Sequence, residues 1–227
     1  MKTSKGNDIV QLLSGRSNVF LVKHYNGTSM LVDTGVKMVR RFLADALAKF
    51  QTPRPDYLVL THSHFDHAGN AAFIRTTTGA KTVIHEAEAD YLRSGGMKIP
   101  EGTYAFTRSL VSLAHKVKYK PGSEPCPADI VVAGSYSPPD MPGILLIHTP
   151  GHSAGSISII VDNEIALVGD TMINVGLFNV FPPFADDVET LKQSWQKLLE
   201  TGCHSFLPAH GGVISRGELE SKIEVQK

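Results

Sequence analysis

The chain has 227 residues, with 22 Lys and Arg against 22 Asp and Glu, so its formal charge is zero and no global field draws it to nucleic acid or an anionic membrane. That length supports one substantial buried core, and a single domain over residues 1–227 is expected. No apolar stretch approaches the roughly 20 residues of a membrane helix; residues 1–8 lack the apolar stretch of a secretory signal; and Cys126 and Cys203 stand far apart, which together predict a cytoplasmic protein with free thiols.

Strands are expected over 19–22 and 29–32, flanking Asn26-Gly27, a strong hairpin pair. Over 36–50, Val39, Leu43, Ala46, Leu47 and Phe50 recur at helical spacing and predict an amphipathic helix against a sheet. Pro53 and Pro55 end that excursion. A strand over 57–60 follows, then a short helix over 70–76, a strand over 81–84 and a helix over 86–93. The second half repeats the plan, with strands around Ile130, Ile144, Ile157 and Ile165. A helix over 186–200 starts with Asp186 and Asp187 at its positive end, and a last strand covers 205–207. Residues 94–106 read as a long irregular loop of the kind that forms lids. Residues 174–184 hold Phe178, Phe181 and Phe184, which line an apolar cleft, pack under the core or meet a second subunit. Pattern alone gives an α/β protein.

The densest chemistry lies in Thr61-His62-Ser63-His64-Phe65-Asp66-His67, three imidazoles and a carboxylate within six residues after an apolar run. In extended backbone His62 and His64 face the same side and can grip one metal ion. Asp66 and His67 fall where Ala68-Gly69-Asn70 turns the chain, so they can address a second point. Further on, His152, Asp170 and His210 each end an apolar segment beside Gly or Pro, where α/β folds collect functional groups. Five histidines and two aspartates can supply two sites with open positions, the arrangement of a catalytic metal. Imidazole and carboxylate without thiolate suit zinc first, with iron or manganese as alternatives. His24 is read as solvent-facing, and His85, His115, His148 and His204 as packing or surface residues. Asp33 is a turn residue or a support for the site from behind; Asp56 is a strand-entry carboxylate or the orienting partner of a ligand histidine.

The order His-x-His-x-Asp-His, a distant His, Gly-Asp, and a last His before glycines resembles the metallo-β-lactamase-fold hydrolase superfamily, from Leu31-Val32-Asp33-Thr34-Gly35 through His210. That resemblance implies a four-layer αβ/βα sandwich with metals at the sheet edges. It implies that His62, His64 and His152 hold a first metal, that Asp66, His67 and His210 hold a second, and that Asp170 bridges both. It further implies hydrolysis of a small-molecule ester, lactone, thioester or β-lactam by hydroxide generated on two divalent ions, with Asp66 orienting the nucleophile. Asp170 brings the ligand set nearer the lactonase and glyoxalase II branch than the secreted β-lactamases, which generally lack that carboxylate. Two departures stand out. Asn70 replaces a frequent second glycine and is expected to alter only the turn, and the absent helical C-terminal extension of glyoxalase II argues against a glutathione thioester. The rivals are a single-iron persulfide dioxygenase, a phosphodiesterase or ribonuclease whose basic patches are not seen here, and a non-catalytic scaffold, which the complete ligand set opposes. No nucleic-acid or membrane partner is expected, and homodimerisation is left open.

Overall fold

The computed structural model describes residues 1–224. The first half builds β1 (Asp8–Leu13), β2 (Val19–Lys23), β3 (Ser29–Val32), α1 (Arg40–Lys49), β4 (Tyr57–Val59), α2 (Phe65–Ala68), α3 (Ala71–Thr78), β5 (Lys81–His85), α4 (Glu86–Ser94), α5 (Ala105–Lys116) and β6 (Ile130–Val132). The second half builds β7 (Ser135–Tyr136), β8 (Ile144–His148), β9 (Ile157–Val161), β10 (Ile165–Gly169), β11 (Ile173–Val175), β12 (Phe178–Val180), α6 (Val188–Glu200), β13 (Ser205–Pro208), β14 (Ile214–Ser215) and α7 (Arg216–Glu224). Two six-stranded sheets run in the orders β1-β2-β3-β4-β5-β6 and β14-β13-β10-β9-β8-β7, and β11 and β12 form a separate hairpin.

Alternation along the strands sets the layers. In β2, Phe20 and Val22 point to the second sheet while Val19 and Leu21 point to the helices outside. In β3, Met30 and Val32 face inward and Leu31 outward. Both faces are therefore covered, which is why these strands read as continuous apolar runs. Inward residues of the two sheets, among them Tyr57, Val59, Ile144, Ile159 and Leu167, form one shared core. Leu43 and Leu47 of α1, Ile74 of α3 and Leu92 of α4 pack on the outer face of the first sheet. Leu191, Trp195 and Leu198 of α6 do the same on the second. The result is the four-layer αβ/βα sandwich.

Several elements differ from the sequence expectation. The helix over 36–50 opens with a tight turn at Lys37–Val39 and becomes α-helical from Arg40. The strand through Tyr57 stops at Val59, and the histidine motif continues as a bend and the single helical turn α2. The irregular loop expected over 94–106 runs into α5, whose only buried residues are Thr107 and Val111, and the stretch 174–184, for which no element is expected, holds most of the hairpin β11–β12. Strands β3 and β4 are parallel, as are β10 and β13, and β8 lies in the same direction because two antiparallel pairings separate it from β10. Their carboxyl ends therefore meet at one edge of the sandwich, where the Ile157 N–H donates across the sheets to the Thr61 carbonyl at 2.9 Å. Among the described residues no helix is long and apolar enough to cross a membrane.

Trp195 links the outer layer to that edge. It is fully buried, and its indole N–H donates to the Thr171 carbonyl at 2.7 Å, one residue beyond Asp170. Trp195→Ala should lower unfolding free energy by about 3–5 kcal/mol. Trp195→Phe, which keeps bulk but strands the carbonyl, should cost about 1–3 kcal/mol. Denaturant titration measures both, and near-equal stability of all three proteins would contradict this placement.

Candidate metal centre

The strand-end loops bring all seven expected residues together. His62 is fully buried and its Nε2 lies 2.9 Å from His64 Nδ1; His152 Nε2 lies 3.1 Å from the same atom. Two of these rings are aimed by the other nitrogen. His62 Nδ1 sits 3.1 Å from the Thr61 hydroxyl, and His152 Nδ1–H donates to the Phe184 carbonyl at 3.0 Å. Burial, and then the neighbouring imidazoles, hold His62 and His64 well below the ordinary histidine pKa, so both rings are neutral.

The second group faces the first. His67 Nε2 lies 3.9 Å from Asp66 Oδ1, and His210 Nε2 lies 3.7 Å from Asp66 Oδ2. Asp170 stands between the groups, with Oδ1 at 3.4 Å from His67 and 3.3 Å from His210 and Oδ2 at 3.5 Å from His152. His67 Nε2 and Asp170 Oδ1 are buried, yet they meet without hydrogen-bond geometry, and neither has another partner among the described residues. Buried polar atoms left in that state are costly unless something binds them. The donor atoms of His62, His64 and His152, of His62, His67 and Asp170, and of Asp66, His67 and His210 each lie within 4.8 Å of one another. Nitrogen and carboxylate lone pairs converging on common points fit divalent metal ions.

Charge follows the same geometry. Burial alone would lower His67, but Asp170, Asp33 and Asp66 outweigh it and hold this imidazole well above the usual range. Burial opposes the rise at His210 too, and Asp170 overcomes it. Asp170 is held well below the carboxylate range: burial would raise it, and His210, His67 and His152 together prevail.

An outer layer fixes the ligands. Asp33 Oδ2 accepts from His67 Nδ1–H at 2.8 Å, and Oδ1 accepts from the Thr61 N–H at 2.8 Å, so Asp33 supports the site from behind. Asp56 instead accepts from the Ser29 N–H and hydroxyl and orients no histidine. Asn70 does more than alter a turn: its Nδ2 donates to the Thr34 and Val36 carbonyls, both at 2.9 Å. Gly169, at φ +52°, has no room for a side chain, since an added Cβ would lie 2.7 Å from Thr61 Cβ. Gly211, at φ +89°, is tighter still, with the Asn174 carbonyl oxygen 1.6 Å from such a Cβ.

Three positioning residues carried no signal that singled them out in the sequence. The Ser17 hydroxyl donates to the Asp66 carbonyl at 2.6 Å. Asn18 Nδ2 donates to the Pro208 and Gly211 carbonyls, both at 2.9 Å, on either side of His210. Buried Glu88 accepts from the Ser63 N–H and hydroxyl and from the Gly155 N–H, tying the His62–His64 loop to the His152 loop.

The remaining histidines lie outside the cluster. His24 is buried rather than solvent-facing, with Nε2–H donating to the Pro142 carbonyl at 2.9 Å. His85 caps α4 through Nδ1 and stacks on His148 at 3.9 Å, whose Nε2–H donates to the Ala154 carbonyl. His115 ends α5 and His204 contacts Ser205. Cys126 and Cys203 are buried free thiols, pushed up in pKa by burial.

A cavity of about 510 Å³ opens above the centre, with His64, Asp66, His152, Asp170 and His210 at its floor. Phe178 and Phe184 line it, whereas Phe181 packs edge-on against Trp195 at 5.9 Å.

This chain belongs to the metallo-beta-lactamase superfamily, whose family model matches residues 14–210. It is 27% identical over 204 residues to a "probable metallo-hydrolase" of Methanocaldococcus jannaschii, covering 88% of this chain and 90% of that protein. It is 28% identical over 150 residues to an N-acyl homoserine lactonase of a Bacillus species, covering 63% of this chain but 50% of the lactonase. The crystal structure of an archaeal metallo-beta-lactamase superfamily protein from Sulfolobus tokodaii aligns over 98% of this chain and 86% of its own, at 23% identity and TM-score 0.66, a likeness of fold.

Two outcomes follow for metal binding. His67, held well above the ordinary histidine pKa, and His210, held above it, keep protons in the metal-free protein that a metal must displace. Metal titration calorimetry should therefore report proton release, as a dependence on buffer ionisation enthalpy, and affinity should rise with pH; identical heats in all buffers would contradict it. Asp33→Asn keeps the left-handed backbone that Asn tolerates at φ 60° but weakens the support of His67. Chelator competition should then show metal bound roughly 10- to 100-fold more weakly at the His67 side of the centre. Undisturbed affinity would oppose the role given to Asp33.

Proposed function

We propose that this chain hydrolyses a carbonyl-centred bond, an ester, lactone or thioester, in a small molecule, using two divalent metal ions. Its family is hydrolytic, and the chain is a metal-dependent hydrolase. The observation carrying the finer reading is one carboxylate, Asp170, standing between two groups of candidate ligand atoms at the floor of an apolar-walled cavity. His62, His64 and His152 would hold one ion, Asp66, His67 and His210 the other, with Asp170 shared; zinc is the first choice for these donors and iron or manganese the alternatives. When bound, such ions supply Lewis acidity, polarising a carbonyl and bringing a water's pKa near neutrality.

The chain's own groups do the rest. Asp66, at the cavity floor, accepts the proton of the attacking water and orients its lone pair toward the carbonyl carbon. As the carbon–oxygen or carbon–sulfur bond breaks, Asp66 returns that proton to the leaving atom. Phe178 and Phe184 exclude bulk water and receive the apolar part of the substrate. No serine or cysteine nucleophile is required, and Cys203 is buried beneath α6, remote from this chemistry. A lactone substrate has the support of the lactonase relative's likeness over the shared region.

Asp66→Asn keeps the side chain's shape while removing its charge. Turnover of an ester or lactone should fall roughly 10²–10⁴-fold at matched metal content, with a much smaller change in substrate affinity. Steady-state kinetics beside elemental analysis tests this. Full activity in the metal-loaded variant, or an acyl group trapped on any side chain, would overturn the mechanism.

A further inference from the structure

The cavity walls are mostly apolar, and one side chain breaks the pattern. Arg16, in the loop between β1 and β2, is the one Lys or Arg among the described residues lining it. Its guanidinium lies over the Phe65 ring, 5.3 Å from the centroid, directly beside Asp66 in sequence. Arg40, Arg75 and Arg216 each pair with a carboxylate, whereas Arg16 has no carboxylate partner among the described residues. A guanidinium held against an aromatic face keeps its planar fork free for a second planar ion.

Arg16 also stands at a fixed place relative to the metal centre. Its neighbours Ser17 and Asn18 are bonded to both sides of that centre, through the Asp66 carbonyl at 2.6 Å and the Pro208 and Gly211 carbonyls at 2.9 Å. The Asn18 N–H adds a bond to the Ala209 carbonyl at 2.6 Å. The anchor of Arg16 therefore cannot drift from Asp66 or His210 without breaking these contacts. Ile99, Leu110, Phe178 and Phe184 give the same cavity apolar surface.

We propose that the substrate is an amphipathic carboxylate, with its scissile carbonyl at the Asp170 floor, an apolar body along the Leu110 and Phe178 wall, and a terminal carboxylate held in bidentate fashion by Arg16. The substrate class rests on the hydrolytic reading above, while the Arg16 subsite is separable from it. A carboxylate suits Arg16 because two parallel N–H···O bonds match the guanidinium fork, and a wall of low polarity strengthens them. The distal carboxylate stays unchanged through the reaction, which adds water across the acyl bond and yields a second acid at the floor.

The test uses the metal-loaded, full-length protein and two kinds of probe. Binding of suberate and octanoate, non-hydrolysable acids of equal chain length, is compared by calorimetry in the wild type, R16Q and R16K. Suberate should bind the wild type about tenfold more tightly than octanoate, R16Q should bring that ratio to about one, and R16K should retain part of it. Matched acyl esters ending in a methyl group or a carboxylate should show the same preference in KM, lost in R16Q. Arg16 is exposed, so these variants should fold. Equal binding of the two acids by the wild type, or an unchanged ratio in R16Q, would overturn the subsite. Absence of ester hydrolysis with the suberate preference intact would remove the hydrolytic reading and leave the carboxylate subsite standing.

Discussion

Everything at the functional edge depends on a buried carboxylate, one of whose oxygens the protein alone leaves without a hydrogen-bond partner. Asp170 Oδ1 is buried between His67 and His210, close to both and bonded to neither. A chain with no use for that arrangement would have protonated it, exposed it or given it a donor. Here its oxygens and the surrounding imidazole nitrogens turn toward one another instead, and their charges shift in opposite directions. Cations at those points would satisfy the carboxylate and the nitrogens together, so folding and metal binding are coupled at this edge.

The surrounding structure makes that convergence possible. Parallel β3 and β4, and β8, β10 and β13 running together, deliver their carboxyl ends to one place. Asp33, Asn18 and Glu88 then join loops that are remote in sequence, across up to 193 residues in the case of Asn18 and Gly211. Each acts by holding a backbone or a ring nitrogen in place, so that the inward-facing nitrogen is the one left free. The same loop that carries Asn18 also presents Arg16 to the cavity, so the fixing of the centre and the charge at the cavity wall share one short segment.

The candidate site is legible because its residues sit together in sequence or at marked strand ends. Three histidines and an aspartate within His62–His67, and then His152, Asp170 and His210 beside Gly or Pro, need no tertiary information to be noticed. The buried strands were legible as apolar runs. Strand β1 is not legible because it is a sheet edge whose Asp8 and Gln11 break the run, and α5 is not legible because it buries only Thr107 and Val111 and so shows no apolar stripe against the core. Apart from Asp33, the outer layer is illegible for a different reason. Ser17, Asn18 and Glu88 are ordinary residues whose partners lie 49, 190 and 67 positions away, and only the folded chain pairs them. His24 was misread because the Pro142 loop that covers it lies 118 residues on.

The most direct test of the account is anomalous X-ray diffraction from crystals of zinc-loaded protein, collected on both sides of the zinc absorption edge. Two peaks per chain are expected, one among His62, His64 and His152 and one among Asp66, His67 and His210, with an Asp170 oxygen within bonding distance of each. A single peak, or two peaks away from Asp170, would contradict a centre built around that shared carboxylate.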